Sequence, residues 1–269
     1  MSLLSGTVQP PLLTLLNTAG GLSPLWHAHV GADPRSLVEV LEDSEYPRAE
    51  GSSSAATHVP KHAQRGSVAG RVVHLQSADI GDTYLQAGAS VSRKAKGKAP
   101  ASAPLGVELP WLGLQIKPLG RRGLSVEVGV LDSRGREGAI RLSSWLEHPR
   151  LRTSSTPPLL HLPLALPTDA ARLTDWVEVC VNLAPLIPLF RSIPSDDDDA
   201  DDGRERKKPR LSTTAHAALP QGALASISYV RVYANCRLRR VWCARDGQRT
   251  VDAVAGDEWA LVAAAGAAA

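Results

Sequence analysis

The sequence predicts an all-β protein: one antiparallel β-sandwich with few short helices and three long loops. Three observations lead there. Apolar residues recur at every second position in many short runs, the period of a half-buried strand. Gly, Asp and Pro punctuate those runs as turn residues. Helical signals are sparse. The chain has 269 residues, of which 43% are hydrophobic, enough to bury a core within one all-β domain. Only 4% are aromatic, so that core must consist mainly of Leu, Val, Ile and Ala. A single domain is expected over 1–269, with its core in about 9–262.

Taken in order, Leu12–Thr18 reads as a short helix closed by Gly20-Gly21. Leu37–Leu41, Arg71–Gln76 and Thr83–Gln86 read as strands. Trp111–Lys117 places Leu112, Leu114 and Ile116 on one face. Leu124–Val130 turns Leu124, Val126, Val128 and Val130 inward, with Ser125, Glu127 and Gly129 outward. Asp132-Ser133-Arg134-Gly135 is a turn leading into Ala139–Ser143, which makes a hairpin. Leu159–Leu166 carries Pro163 and belongs at an edge or a strand start. Trp176–Asn182 buries Val177, Val179 and Val181. Pro185 and Pro188 limit Leu183–Arg191 to a turn or two of helix.

Three stretches break the alternation, at about 43–70, 88–104 and 194–222. They are rich in Ser, Ala, Gly or charge and cannot bury enough apolar surface to offset ordering, so long mobile loops are expected there.

Net charge is +3, a weak sign of any polyanionic partner. Three cysteines, Cys180, Cys236 and Cys243, lack framework spacing and point to a reducing compartment. No run reaches the roughly 20 apolar residues of a membrane helix, and no secretory leader is evident, so a soluble intracellular protein is expected.

Catalytic chemistry finds little support. His27 and His29 would share a strand face, but no cysteine or carboxylate cluster completes a metal site, and a surface location is expected. There is no G-x-S-x-G elbow and no phosphate-cradling glycine pattern. Paired carboxylates concentrate in Asp196–Asp202, too flexible to act as an acid–base pair. No catalytic residue, metal or cofactor is expected.

The stretch Tyr229–Trp242 carries the strongest pattern. Val230, Val232, Ala234, Cys236 and Leu238 share one parity, and Tyr229, Arg231, Tyr233, Asn235, Arg237 and Arg239 share the other. It reads as one strand with a dry face and a face of arginines and tyrosines that no carboxylate within it neutralises. The phase slips at Arg240, which predicts a bulge or a strand end. Arg231, Tyr233, Asn235, Arg237, Arg239 and Arg240 are therefore the expected partner contacts, since interfaces enrich Arg and Tyr. A second candidate is Arg204, Arg206, Lys207, Lys208 and Arg210, a cluster of the kind read by nuclear import receptors. That cluster and the patch Arg93–Lys98 are each able to engage an acidic protein surface or, without sequence choice, a nucleic-acid backbone.

The run Ala234-Asn235-Cys236-Arg237-Leu238-Arg239-Arg240-Val241 resembles the ANCRIRRV signature of the cilia- and flagella-associated protein 20 family, with Leu238 for isoleucine. Other stretches are similar in the same order: Gln9–Val30 with the family's opening, Thr83-Tyr84-Leu85, Leu105–Lys117 with its LGIKLPFL segment, Leu124–Asp132 with its FTFEVQVLD, and Trp176–Leu183 with its WNQIQFNL. The likeness runs from about Gln9 to about Val262, leaving out the three loops. It implies a jelly-roll-type sandwich without catalytic residues. It further implies a structural protein of the axoneme or centriole that binds the doublet microtubule wall, with some members also found in nuclei. Two features depart from the family: Phe190 is the only phenylalanine, and the loop at 194–222 stands where the family has a brief connection. Two alternatives remain: a nuclear scaffold in RNA or chromatin complexes, and a carbohydrate- or ligand-binding sandwich using Trp111, Trp145 and Trp176 as an aromatic platform.

Overall fold

Alternating strands bury one face each, and two such faces closing on one another form a sandwich. The structure is a computed structural model that describes residues 3–4, 8–18, 22, 24–43, 70–91, 103–119, 122–166, 176–195, 219–255 and 259. It consists of two sheets packed as a sandwich. The six-stranded sheet runs in the order β11 (Val177–Asn182), β6 (Trp111–Pro118), β13 (Cys236–Ala244), β4 (Gly70–Gln76) and β3 (Leu37–Asp43). In it, β1 (Leu12–Asn17) continues past β4 along the same side of β13. The seven-stranded sheet runs β2 (Trp26–His29), β5 (Tyr84–Gly88), β12 (Leu224–Tyr233), β7 (Ser125–Asp132), β8 (Glu137–Ser143), β10 (Leu159–Pro163) and β9 (Arg150–Arg152). Neighbouring strands are antiparallel except β10, which runs parallel to β8. Among the described residues the helices are short: α1 (Leu189–Ser192) and α2 (Gln248–Val254).

The predicted inward faces meet in one core. Leu112, Leu114, Ile116, Leu238, Val241 and Cys243 come from the six-stranded sheet. Val126, Val128, Val130, Ile140, Val230 and Val232 come from the other. Each such aliphatic side chain, fully withdrawn from water, contributes roughly 1.5–3 kcal/mol. The β7–β8 hairpin turns where expected, with Gly135 at φ 74°. Asp132 braces that turn by accepting from the backbone amides of Arg134 and Arg136, both at 2.9 Å. The run at Leu159 is corrected: β10 is an interior strand between β8 and β9, and Pro163 ends it opposite Ser143, beyond the residues that pair with β9, where its missing N–H costs no bond to that strand.

Two further expectations change. Leu12–Asn17 is a strand, not a helix: it pairs antiparallel with β13, which supplies the backbone partners a helix would have found within itself. Tyr229–Trp242 is not one strand. β12 ends at Tyr233, the chain turns through Ala234 and Asn235, and β13 begins in the opposite sheet. Ala234 N–H donates to Thr83 O (3.0 Å), Asn235 O accepts from Leu119 N–H (3.2 Å), and Asn235 Oδ1 accepts from Ser77 N–H (2.9 Å). The predicted bulge is present: Leu238 pairs with Ile116 and Arg240 with Gln115, leaving Arg239 as the extra residue. The expected long loops lie mostly outside the described residues.

Candidate partner-binding site

The turn at Ala234-Asn235 divides the predicted partner strip between two surfaces. Tyr229, Arg231 and Tyr233 stand on the outer face of the seven-stranded sheet. Arg237, Arg239 and Arg240 stand on β13, in the six-stranded sheet. Asn235 is buried in the turn and serves the fold.

Arg237, Arg239 and Arg240 are only 7%, 7% and 6% exposed, so the expectation of a free basic face there is corrected. The outer face of this sheet is covered around β13. Arg240 lies over the Trp259 ring, 5.0 Å from its centre, and Trp259 packs edge-on against Trp242. Arg237 Nε donates to His74 Nδ1 (3.2 Å). Gly113 makes room for the Trp242 indole: a methyl group there would lie 2.1 Å from the ring.

The other face is open at Arg141, Trp145, Arg150 and Arg152, and cross-strand register builds a polar row across it. Gln86, Arg231, Glu127, Arg141, His161 and Arg150 stand opposite one another on β5, β12, β7, β8, β10 and β9. The expectation that no carboxylate meets the arginines is overturned by Glu127, whose side chain is 5% exposed between Arg141 and Arg231. Glu127 accepts from Arg141 Nε (2.8 Å) and Nη2, Arg231 Nη1 (3.2 Å), Tyr229 Oη (2.9 Å) and Tyr233 Oη (3.2 Å). Burial alone raises the Glu127 carboxyl, but the charges of Arg141 and Arg231 outweigh it and hold it below the usual range. Gly129, opposite Tyr229, leaves space for that ring; a methyl group there would lie 2.2 Å from it.

Arg231 is further fixed by Gln86 Oε1 (2.8 Å) and by the Tyr84 ring, 4.5 Å from its guanidinium. One carboxylate for two guanidiniums leaves one positive charge in excess. Three hollows lie along this face. One of about 240 Å³ lies against Glu127, Arg141 and Arg231. One of about 500 Å³ is bounded by Arg141, Tyr233, Trp145, Ser125 and Asp79. One of about 290 Å³ is bounded by Trp145, His161, Arg150 and Arg152. Arg141 is a wall of the first two, and Trp145, 47% exposed, a wall of the last two. Ser125 bonds Ser143 (2.8 Å), which bonds His161 Nε2 (2.6 Å). Burial, then the charges of Arg141, Arg152 and Arg150, push His161 down to about 4, so it is neutral near pH 7.

The remaining predicted sites are not brought together. Trp111 packs toward Trp242 and Trp259, and Trp176 packs on Val72, both with the six-stranded sheet, so only Trp145 of the expected aromatic platform borders the groove. His27 and His29 are exposed on edge strand β2, and His29 stacks on Tyr84. No group of three metal-ligating side chains occurs among the described residues. Arg204, Arg206, Lys207, Lys208 and Arg210 lie outside the described residues, as does Arg93–Lys98. Among the described residues no helix is long and apolar enough to cross a membrane. Burial raises the thiols of Cys180, to about 11, and Cys236, to about 12, and that of Cys243 as well, so all three stay protonated. Sequence reasoning missed Arg141 and His161 as site residues and named Trp145 only as part of an aromatic platform; the outward parity of Glu127 was the one local signal.

No family model and no curated protein matches the chain. Among solved structures, it is similar to a family 11 carbohydrate-binding module from Clostridium thermocellum, in complex with a β-1,3-1,4-mixed-linked tetrasaccharide. Identity is 11% and the TM-score 0.35, covering 86% of this chain and 94% of that one.

Proposed function

We propose that this chain is a non-enzymatic structural protein that attaches to microtubule walls, in the manner of the cilia- and flagella-associated protein 20 family it resembles, in a cilium or centriole. The contact face is the outer face of the seven-stranded sheet rather than the full arginine strip. The observation that carries this reading is the open basic and aromatic groove there, with Arg231, Arg141 and the exposed Arg152 set beside Tyr233 and Trp145. Arg231 and Arg141 are already held by Glu127 and the tyrosines, so little side-chain entropy is lost on docking. Tubulin is strongly acidic, and a rigid cationic face both steers toward such a surface and fixes register on it.

Co-sedimentation tests the reading. The protein pellets with microtubules at low ionic strength, and pelleting falls as salt rises. Protein that stays in the supernatant at low ionic strength would sink the microtubule role. The nuclear alternative rests on Arg204–Arg210 alone. It requires nuclear accumulation that disappears when Lys207 and Lys208 become alanine.

A further inference from the structure

We infer that the groove across the seven-stranded sheet is a seat for an extended acidic peptide segment of a protein partner, with Arg141 at its centre. The inference rests on the protein-binding reading above and names the chemistry of the contact.

Four strand spacings separate β12 from β9, so the polar row between them spans about 20 Å at roughly 4.8 Å per strand. Along that line arginines recur at every second strand: Arg231 on β12, Arg141 on β8, then Arg150 and Arg152 on β9. Their spacing is therefore about 10 Å. An extended chain in the polyproline II conformation rises about 3.1 Å per residue with three residues per turn, so in a run of acids every third carboxylate faces the same side at close to that spacing. A compact ligand cannot reach all three positions.

The hydrogen-bond inventory leaves donors for such a ligand. Arg141 uses Nε and Nη2, and Arg231 uses Nε and Nη1. Arg141 Nη1 and Arg231 Nη2 have no hydrogen-bond partner among the described residues. Both residues wall the 240 Å³ hollow, and the Arg141 side chain is 28% exposed. Charge selects the class of anion. Two guanidiniums around the resident Glu127 leave an excess of one, which matches a single carboxylate. A phosphate dianion at the same place would carry one negative charge more than that excess. Trp145 offers an apolar wall midway for the methylenes of a glutamate side chain.

The probe is a fluorescently labelled oligoglutamate peptide titrated with the full chain, read by anisotropy. Oligoglutamine of the same length and a single-stranded RNA oligomer serve as competitors. Oligoglutamate is expected to bind, more weakly as salt rises, and neither competitor displaces it at equal concentration. Arg141→Gln and Arg152→Gln each weaken binding about tenfold. Arg249→Gln, on α2 of the opposite sheet, does not. Because Arg141→Gln leaves Glu127 short of a partner, thermal melting checks its fold; Arg152→Gln, on an exposed edge, keeps the test sound if Arg141→Gln unfolds. Oligoglutamate that binds no better than oligoglutamine, RNA that displaces it, or a folded Arg152→Gln protein that binds like the wild type overturns the inference. Microtubule pelleting that excess oligoglutamate leaves unchanged also overturns it, while the microtubule reading stands. Oligoglutamate binding without microtubule pelleting supports the groove and removes tubulin as its partner.

Discussion

The outer faces of the two sheets draw their arginines from one stretch of chain, yet use them in opposite ways. On the seven-stranded sheet, Arg231 meets a carboxylate and three tyrosine rings beside open hollows. On the six-stranded sheet, Arg237 and Arg240 lie almost wholly covered, one bonded to His74 and the other under Trp259. A motif rich in arginine is thus no map of a binding surface. Most of the run that resembles the family signature, Cys236–Val241, lies on the covered side. Its arginines are buried among His74 and Trp259, and the proposed contact residues lie outside that run.

The sharpest way to break this contrast is charge reversal on each face. Arg240→Glu puts a carboxylate under Trp259 and is expected to destabilise by about 3–5 kcal/mol, read as a lower urea midpoint. A stable Arg240→Glu protein would mean that the covered face tolerates free charge and that the contrast is false. Next in size is Glu127→Gln, which leaves Arg141 and Arg231 without their counter-charge. A loss of about 3 kcal/mol is expected, by the same measurement. Gly113→Ala probes the covered side by volume alone, forcing the Trp242 ring to move, and should destabilise by about 1–3 kcal/mol.

Acid sharpens the comparison, because each face holds a histidine beside arginine. His161 titrates at about 4 in the fold against 6.5 for a free side chain. Between those values the unfolded chain binds a proton that the native protein does not. Its contribution to stability is therefore whole above pH 6.5 and lost as pH falls toward 4. His74, lowered by burial and by Arg237, acts in the same direction on the other sheet. The depressed carboxyl of Glu127 adds a further loss at lower pH. Urea midpoints across this range should fall with acid, and less steeply in His161→Gln. An unchanged slope in that variant would show that His74 and the carboxylates carry the effect. The smallest effect is expected from Arg152→Glu, within about 0.5 kcal/mol of the wild type in stability. Its loss appears in partner binding alone.

Much of the fold was legible because alternation reports burial directly. Leu112, Leu114 and Ile116, the inward valines of β7, the hairpin at Gly135 and the bulge at Arg239 all follow from local pattern. The division of Tyr229–Trp242 was not legible. Ala234 and Asn235 keep the period of two while the backbone turns, so nothing in the pattern marks the break. Leu12–Asn17 lacks clean alternation, and only its pairing with β13 makes it a strand. The site was hidden for a different reason. Periodicity turned Glu127 outward, but Arg231 lies 104 residues away, and no local rule fixes which strands become neighbours or in what register.

The two-residue link between β12 and β13 has a mechanical consequence. Each of these strands has partners on both sides, β5 and β7 for one, β6 with β4 and β1 for the other. A pull applied to the groove therefore passes through covalent backbone into the middle of the opposite layer. Drawing the layers apart at that link therefore loads two strands that are each paired on both sides.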